Sequence, residues 1–509
     1  MSLLGIDIGS SSCKGVAFDL HGKIIAQAEA GYSVSTPGHD RAELDANVFW
    51  GSAFKVIRAV ADKTSADPVE AMALASHGET YIPLDIHGQP LTTAVMNSDN
   101  RAVSQSIRWE KSMGREGIYS ITGLPIHSMF SINKIQWLLE NQPDIYDRAA
   151  YFVNPADFVL MKLGFPPITD YSLASRTMAF DIRKKQWSDE ILGLAGIKNK
   201  LFPTPLPAGQ LIGRLSASIT SVLGLRSGVS VSLGGHDQPC GALGSGVIDS
   251  GQVADSAGSY ECLSIVSAKP LGHTQALQYS LNSYCHVIPD RYITLAFFPS
   301  GLMVRWFVEQ FCGTDYLEAI AQDKSVYEIL ASKVAKEKSS PTGITVLPHL
   351  IGSCNPHWDV RAKGIIAGLT PDVTRIRLYQ AIFEGIACEM AMNIKVLQQV
   401  AGDFDSVRIF GGNAQSPFSV QLRADISGKR IMILPHSEMV CQGAAILAGI
   451  GCGQFNNVQD ALGFIPKIVD AYVPQMKSGK IYNDIVYQYS KLFNSLSGFR
   501  SDHSVEEII

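Results

Sequence analysis

Apolar and polar positions change period several times along the chain, and each change marks an element. Residues 3–30, "LLGIDIGSSSCKGVAFDLHGKIIAQAEA", read strand, Gly/Ser turn, strand, "DLHGK" turn, strand. After the first turn Val16 and Phe18 alternate into a second strand, so the glycine loop is a hairpin tip and does not open a helix. Within "SVSLGGHDQPCGALGSG" (230–246), Val231 and Leu233 alternate with Ser230 and Ser232, which predicts a strand ending at Gly234. Residues 250–268, "SGQVADSAGSYECLSIVSA", repeat the first arrangement: Asp255 ends a strand, Gly258 and Ser259 turn, and alternating apolar residues follow. Two hairpins of one type, about half a chain apart, suggest a duplicated fold.

Helical spacing alternates with these strands. "MFSINKIQWLLEN" (129–141) places Ile132, Ile135, Leu138 and Leu139 on one face, and "VNPADFVLMKLGF" (153–165) reads as a helix after a Pro turn. The stretch 378–400 predicts a long helix, and "SVRIFGGNAQSPFSVQLRADISGKRIMIL" (406–434) a βαβ unit with two glycines at the mouth of its helix. Tyr482, Ile485, Val486, Tyr489, Leu492 and Phe493 form the apolar stripe of a closing helix, whereas 496–509 has no period and is expected to be a loose tail.

At 509 residues the chain exceeds one ordinary core, so two large domains are expected. A charged fraction of 17% and a net charge of −5, with no basic block, speak against nucleic-acid and membrane-surface partners. No apolar run is long enough to span a bilayer, and the start lacks a signal-peptide pattern. Nine scattered cysteines without a CxxC pair fit buried thiols in a reducing compartment, so a cytoplasmic location is expected.

No GxxxxGK[ST] occurs, yet backbone N–H groups and hydroxyls at a Gly/Ser hairpin tip can cradle phosphate oxygens. An isolated Asp at a strand end, such as Asp237, caps a turn as readily as it does chemistry.

The motifs together resemble the FGGY family of carbohydrate kinases, the group of xylulokinase and glycerol kinase. "MFSINKIQWLLEN", with Lys134 and Trp137, fits that family's first signature, and "GIIAGLTPDVTRIRLYQAIFE" (364–384) fits the second except at Arg377. "LPHLIGSCNPHWDVRAKG" (347–364) is similar to the family's "LPYLxGERxPxxDPxARG", departing from it at Ser353 and Cys354. "GGHD" and "FGGNAQSP" stand where the family keeps its catalytic Asp and its adenosine loop. The resemblance runs from residue 4 to about 493 and implies two actin-like (ribonuclease H-like) α/β domains around a cleft. The expected division is 1–246 and 247–495.

By resemblance, Asp237 is the general base that takes the proton of the attacking hydroxyl; His236 reads as a neighbour that packs or orients, not as the base. Asp7, together with Asp237, is the Mg²⁺-organising carboxylate. Ser10, Ser11, Ser12 and Lys14 from one half, and Gly258, Ser259 and Gly301 from the other, would embrace the phosphates of ATP. Gly411, Gly412 and Asn413 would hold the nucleoside. "ASHGETYIPLD" (75–85) and "NSDNR" (97–101) align with the family's substrate segments, which implies His77, Gly78, Glu79, Asp99 and Arg101 as sugar contacts, joined by Asp237 and Gln238.

Such carboxylates and amides suit a ligand rich in hydroxyls, and Arg101 is the main positive charge in the set. The expected acceptor is an open-chain ketose or polyol of about four to six carbons. Xylulose leads, with glycerol or erythritol as alternatives; a homodimer is allowed. An idle sugar sensor on the same scaffold and a chaperone-type ATPase are the competing classes. The retained Asp7 and Asp237 speak against the first, and the absence of the two signatures from chaperones against the second.

Overall fold

The computed structural model describes residues 1–337, 341–414 and 416–496; for 273, 413 and 476–480 only the backbone is described. All but the first residue of the expected tail therefore lies outside the described residues. Two mixed sheets organise the chain. The first contains β1 (Ser2–Ile8), β2 (Ser12–Phe18), β3 (Ile24–Gly31), β4 (Val69–Ser76), β5 (Leu211–Arg214) and β6 (Ser230–His236), in the order β3-β2-β1-β4-β6-β5. The second contains β7 (Val253–Ala257), β8 (Tyr260–Ser267), β9 (Asn282–Cys285), β10 (Tyr292–Pro299), β11 (Ser406–Phe410), β12 (Arg430–Ile433) and β13 (Asp470–Tyr472), in the order β9-β10-β8-β7-β11-β12-β13.

Setting β9 aside, the two sheets share one plan. Each starts with a three-strand antiparallel meander, continues with two parallel additions and closes with an antiparallel edge. The duplication expected from the two hairpins is thus a duplication of whole sheets.

Helices cover the sheets where the sequence shows helical period: α1 (Asn47–Lys63), α2 (Ser131–Asn141), α3 (Asp237–Gly244), α4 (Gly301–Phe311), α5 (Arg375–Ala401), α6 (Pro417–Ser427), α7 (Met439–Gly451) and α8 (Met476–Ser495). The long helix and the βαβ unit β11–α6–β12 are as expected, with β11 and β12 parallel. Strand β6 runs to His236, two residues past the expected end, because Gly235 and His236 still pair with Ala75 and Ser76 after a register shift. Glycine permits this: a Cβ on Gly234 would stand 2.0 Å from the Leu74 carbonyl oxygen.

One helix crosses the plan. α7, late in the chain, packs on β1, β4 and α3 of the first half. Small residues allow the approach, since a Cβ on Gly5 would stand 1.8 Å from the Cys441 oxygen and one on Gly443 1.9 Å from the Cys240 oxygen. Ala444, Ala445, Leu447 and Ala448 of α7 share a core with Leu3, Ala71 and Ala73.

Candidate active site

Three parallel neighbours, β1, β4 and β6, end level with one another: Ile8 pairs with Ser76, and Ser76 with His236. Their carboxyl ends bring Asp7, His77 and Asp237 to one edge, the usual place for ligands on an open α/β sheet. Asp237 is the first residue of α3 and keeps 23% of its side chain accessible. Its Oδ1 has no hydrogen-bond partner among the described residues, and His236 Nε2 lies 3.2 Å away out of line. The other ring nitrogen of His236 meets the Tyr284 hydroxyl at 2.7 Å, so the imidazole is oriented by Tyr284. Burial, and then the nearby charges of Asp7 and Glu79, push the Asp237 carboxyl well above its usual range.

Asp7 has a second orphaned buried oxygen, Oδ1. Burial raises its carboxyl to about 7, opposed by Lys14 and assisted by Glu438 and Glu29. Two mutually repelling carboxylates with unpartnered oxygens fit a divalent cation that completes its shell with water and phosphate. Among the described residues no group of three or more His, Cys, Asp or Glu side chains forms an all-protein metal cage.

The first hairpin tip exposes Ser10 and Ser11, with Ser12 half-buried. It is braced by Tyr32, whose amide donates to the Ser11 carbonyl at 2.9 Å and whose hydroxyl reaches the carbonyls of Gly9 and Ser12. Lys14 lies 3.6 Å from Glu438 and 3.9 Å from Glu29. The second tip exposes Gly258 and Ser259. Gly301 opens α4, where its amide donates to the Gly258 carbonyl at 3.2 Å, so it contributes position and a missing side chain. Gly411 has φ 106°, and a Cβ there would stand 2.6 Å from the Ala257 oxygen, so the glycine loop lies directly against the second hairpin. Gly412 is exposed, with open space where a side chain would go. Asn413 sits in the short turn Gly412–Ala414, and its side chain lies outside the described set.

The expected sugar contacts divide. Glu79 stands at φ 64°, a left-handed conformation, and is ion-paired with Arg176. Gly78 is where Arg176 packs: a Cβ there would meet the Arg176 Cγ at 2.8 Å. Gln238 is half-buried beside Asp237.

Three residues depart from the expectation. His77 engages both ring nitrogens internally, with the Ile8 carbonyl at 2.9 Å and the Thr80 hydroxyl at 2.7 Å, and burial lowers its pKa. Asp99 accepts the Ala42 amide at 2.7 Å and the Arg101 Nε at 2.9 Å, while Arg101 also donates to Glu43 at 2.5 Å. This closed, buried network leaves Arg101 no free charge to offer, against the expectation that it supplies the positive charge of the pocket.

Arg176, absent from the sequence-based set, is the cation that pairs with Glu79. It is 1% exposed, lies over the Phe130 and Tyr284 rings at 5.3 and 4.8 Å, and donates to Asn282 Oδ1 at 3.1 Å. No periodicity marks it, because its partners come from three distant segments. Next to Asn282 and Phe130 opens a cavity of about 370 Å³ whose lining includes His127, Met129, His357 and Trp358.

The chain matches the N-terminal domain of the FGGY family of carbohydrate kinases over residues 2–244 and the C-terminal domain of that family over 255–452. It is 26% identical over 506 residues to a xylulose kinase of Staphylococcus epidermidis, covering 98% of each chain. A gluconokinase of Bacillus licheniformis is 23% identical over 500 residues, covering 97% of this chain and 96% of the other. In fold, the chain is similar to the ligand-bound xylulose kinase of Lactobacillus acidophilus, with TM-score 0.88 and 22% identity over 99% of this chain and 100% of that one. The chain belongs to the FGGY family of carbohydrate kinases: it has that family's two-domain actin-like α/β fold and is a sugar phosphotransferase.

Proposed function

We propose that the chain transfers the terminal phosphoryl group of ATP to a hydroxyl of a neutral, open-chain ketose or polyol, with xylulose as the leading acceptor. The observation that carries the reading is Asp237: a carboxylate with an unbonded oxygen, on the sheet edge it shares with Asp7 and the start of the first hairpin tip. In the transfer, the acceptor hydroxyl gives its proton to Asp237 as its oxygen forms the new bond to phosphorus. The bond from phosphorus to the bridging oxygen breaks, and ADP leaves with the electron pair. Burial, and then the charges of Asp7 and Glu79, make Asp237 a stronger proton acceptor than an ordinary aspartate.

Asp7 and Asp237 would hold Mg²⁺, which when bound neutralises charge on the phosphates. Ser10, Ser11, Ser12 and Lys14 would receive the phosphates from one side and Gly258 and Ser259 from the other, with the nucleoside over Gly411–Asn413. Lys14 can exchange its loose contacts with Glu29 and Glu438 for a phosphate oxygen. In this reading the halves are 1–246 and 247–495, with α7 seated on the first.

A neutral acceptor is favoured by the local charge. Arg176 is matched by Glu79, and Arg101 by Asp99 and Glu43, so neither guanidinium is left over to pair with a carboxylate on the acceptor. An aldonate would bring an anion with no such partner waiting for it. The test is coupled detection of ADP release with xylulose, glycerol, erythritol and gluconate. Xylulose is expected to give the highest kcat/KM, and gluconate turning over faster than every neutral acceptor refutes the reading.

A further inference from the structure

Behind the second phosphate hairpin lies a cluster of charge that the transfer reaction does not use. Arg423 of α6 is 1% exposed and Glu261 of β8 is fully buried. Arg423 donates to Glu261 through Nη2, and through Nε at 3.3 Å. The Glu261 oxygen that accepts from Nη2, Oε1, also accepts the Ser300 hydroxyl at 2.5 Å. Ser300 immediately precedes α4, and the amides of Ser300, Gly301 and Leu302 donate to the Ser259, Gly258 and Ser259 carbonyls at 3.3, 3.2 and 3.1 Å. The hairpin tip is therefore tied to Ser300, Ser300 to Glu261, and Glu261 to α6. At its other end α6 begins three residues after the turn Gly412–Ala414, the glycine loop that packs against Ala257. One chain of bonds thus joins both segments expected to hold the nucleotide.

A buried ion pair is a weak source of net stability, because the cost of removing two charges from water offsets most of the attraction. This pair also has an unneeded third member. Asp255 is fully buried, neither of its oxygens receives a hydrogen bond among the described residues, and it shares the neighbourhood of Glu261 and Arg423. Two carboxylates face one guanidinium, and burial followed by the charge of Glu261 raises the Asp255 carboxyl well above its usual range. Burial and the charge of Glu261 thus disfavour the ionised form of Asp255.

We infer that Glu261 and Arg423 are positioning residues for the nucleotide, fixing the separation of the phosphate-binding hairpin from the nucleoside loop through Ser300 and α6. The inference rests on the placement of the nucleotide under Proposed function, and its test separates the two.

ADP binding is measured by calorimetry, and acceptor KM by steady-state kinetics, on the full chain. In Glu261→Gln, Asp255 can ionise against Arg423 in place of Glu261, so the fold survives while Ser300 loses its charged acceptor. ADP affinity is expected to fall about tenfold, with acceptor KM changed by less than about twofold. Ser300→Ala keeps the ion pair, cuts the link to the hairpin, and should weaken ADP by a similar factor. The double variant Asp255→Asn/Glu261→Gln strands a buried guanidinium and should melt far below either single variant.

Gly412→Leu, whose Cβ would have no described atom within 4 Å beyond its chain neighbours, should abolish ADP binding by filling the nucleoside position. If it does so while Glu261→Gln and Ser300→Ala bind ADP normally, the inference falls and the nucleotide placement stands. If Gly412→Leu binds ADP normally, the placement itself falls. Equal shifts in ADP affinity and acceptor KM, or unfolding of Ser300→Ala, make the cluster a core support and overturn the inference.

Discussion

Replacing Lys134 by Met tests the electrostatics of the first signature helix. The Lys134 side chain is fully buried on α2, and its Nζ donates to the Met96 carbonyl at 2.8 Å. Burial lowers its pKa from 10.5 to about 7, despite the opposing charges of Asp99 and Glu79. The folded-state value thus lies below the unfolded one, so stability is complete above about pH 10.5 and is lost as pH falls towards 7. In that window the unfolded chain binds a proton that the folded chain refuses. Each pH unit is worth about 1.4 kcal/mol, and the whole span about 5 kcal/mol, an order-of-magnitude figure.

Lys134→Met removes this dependence and adds only a constant offset from the lost bond to Met96. Every other titrating group cancels when variant and wild type are compared at the same pH. Denaturant unfolding of both at pH 7, 8 and 9 is the assay. The stability of Lys134→Met relative to wild type should decline by about 1 kcal/mol or more per unit as pH rises. A difference that stays flat across these pH values refutes the account of a desolvated amine in α2.

Asp237→Asn removes the proton acceptor at constant size, so turnover should drop by ~10²–10⁴ while ADP still binds, as calorimetry beside steady-state kinetics can establish. Near-normal turnover would end the general-base assignment. Asp99→Asn leaves Arg101 short of its main partner in a closed network, so melting temperature should fall while acceptor KM stays within about twofold. A large KM shift at unchanged stability would put Asp99 in the pocket after all. Gly5→Ala forces a methyl against the Cys441 carbonyl, and overpacking of this kind costs about 1–3 kcal/mol. Thermal unfolding indistinguishable from wild type would mean that α7 is not held tightly on β1.

The sequence displays those parts of the fold that repeat with a short period. Both hairpins, the long helix α5 and the βαβ unit follow from alternation and glycine placement, because each is determined by neighbours a few residues away. The site is legible only where it shares that locality. Asp7, Asp237 and the exposed tips at Ser10, Ser11, Gly258 and Ser259 sit at strand ends or hairpin turns. Glu79, Arg176 and Asn282 meet across more than two hundred residues of chain, and no local pattern announces that meeting. The same holds in reverse for Asp99 and Arg101: alignment puts them near the sugar, whereas Glu43 and Ala42, outside the motif, claim their hydrogen bonds. Asp255 mirrors Asp7 in sequence, yet it lies in the core with Glu261 and Arg423. The repeated sheet carries its shape over and leaves the chemistry behind.

The seating of α7 on β1 and β4 sets an order of events during synthesis. Leu3, Ala71 and Ala73 are ready to be covered once the first 246 residues have left the ribosome, but the helix that covers them ends at Gly451. Until then a small-residue face of the first sheet stays wet, and with it a surface suited to sticking to other nascent chains. Without α7, the N-terminal half leaves part of its own sheet uncovered. A fragment ending at residue 246 should be poorly soluble when expressed alone, and recoverable when co-expressed with the remainder as a separate chain.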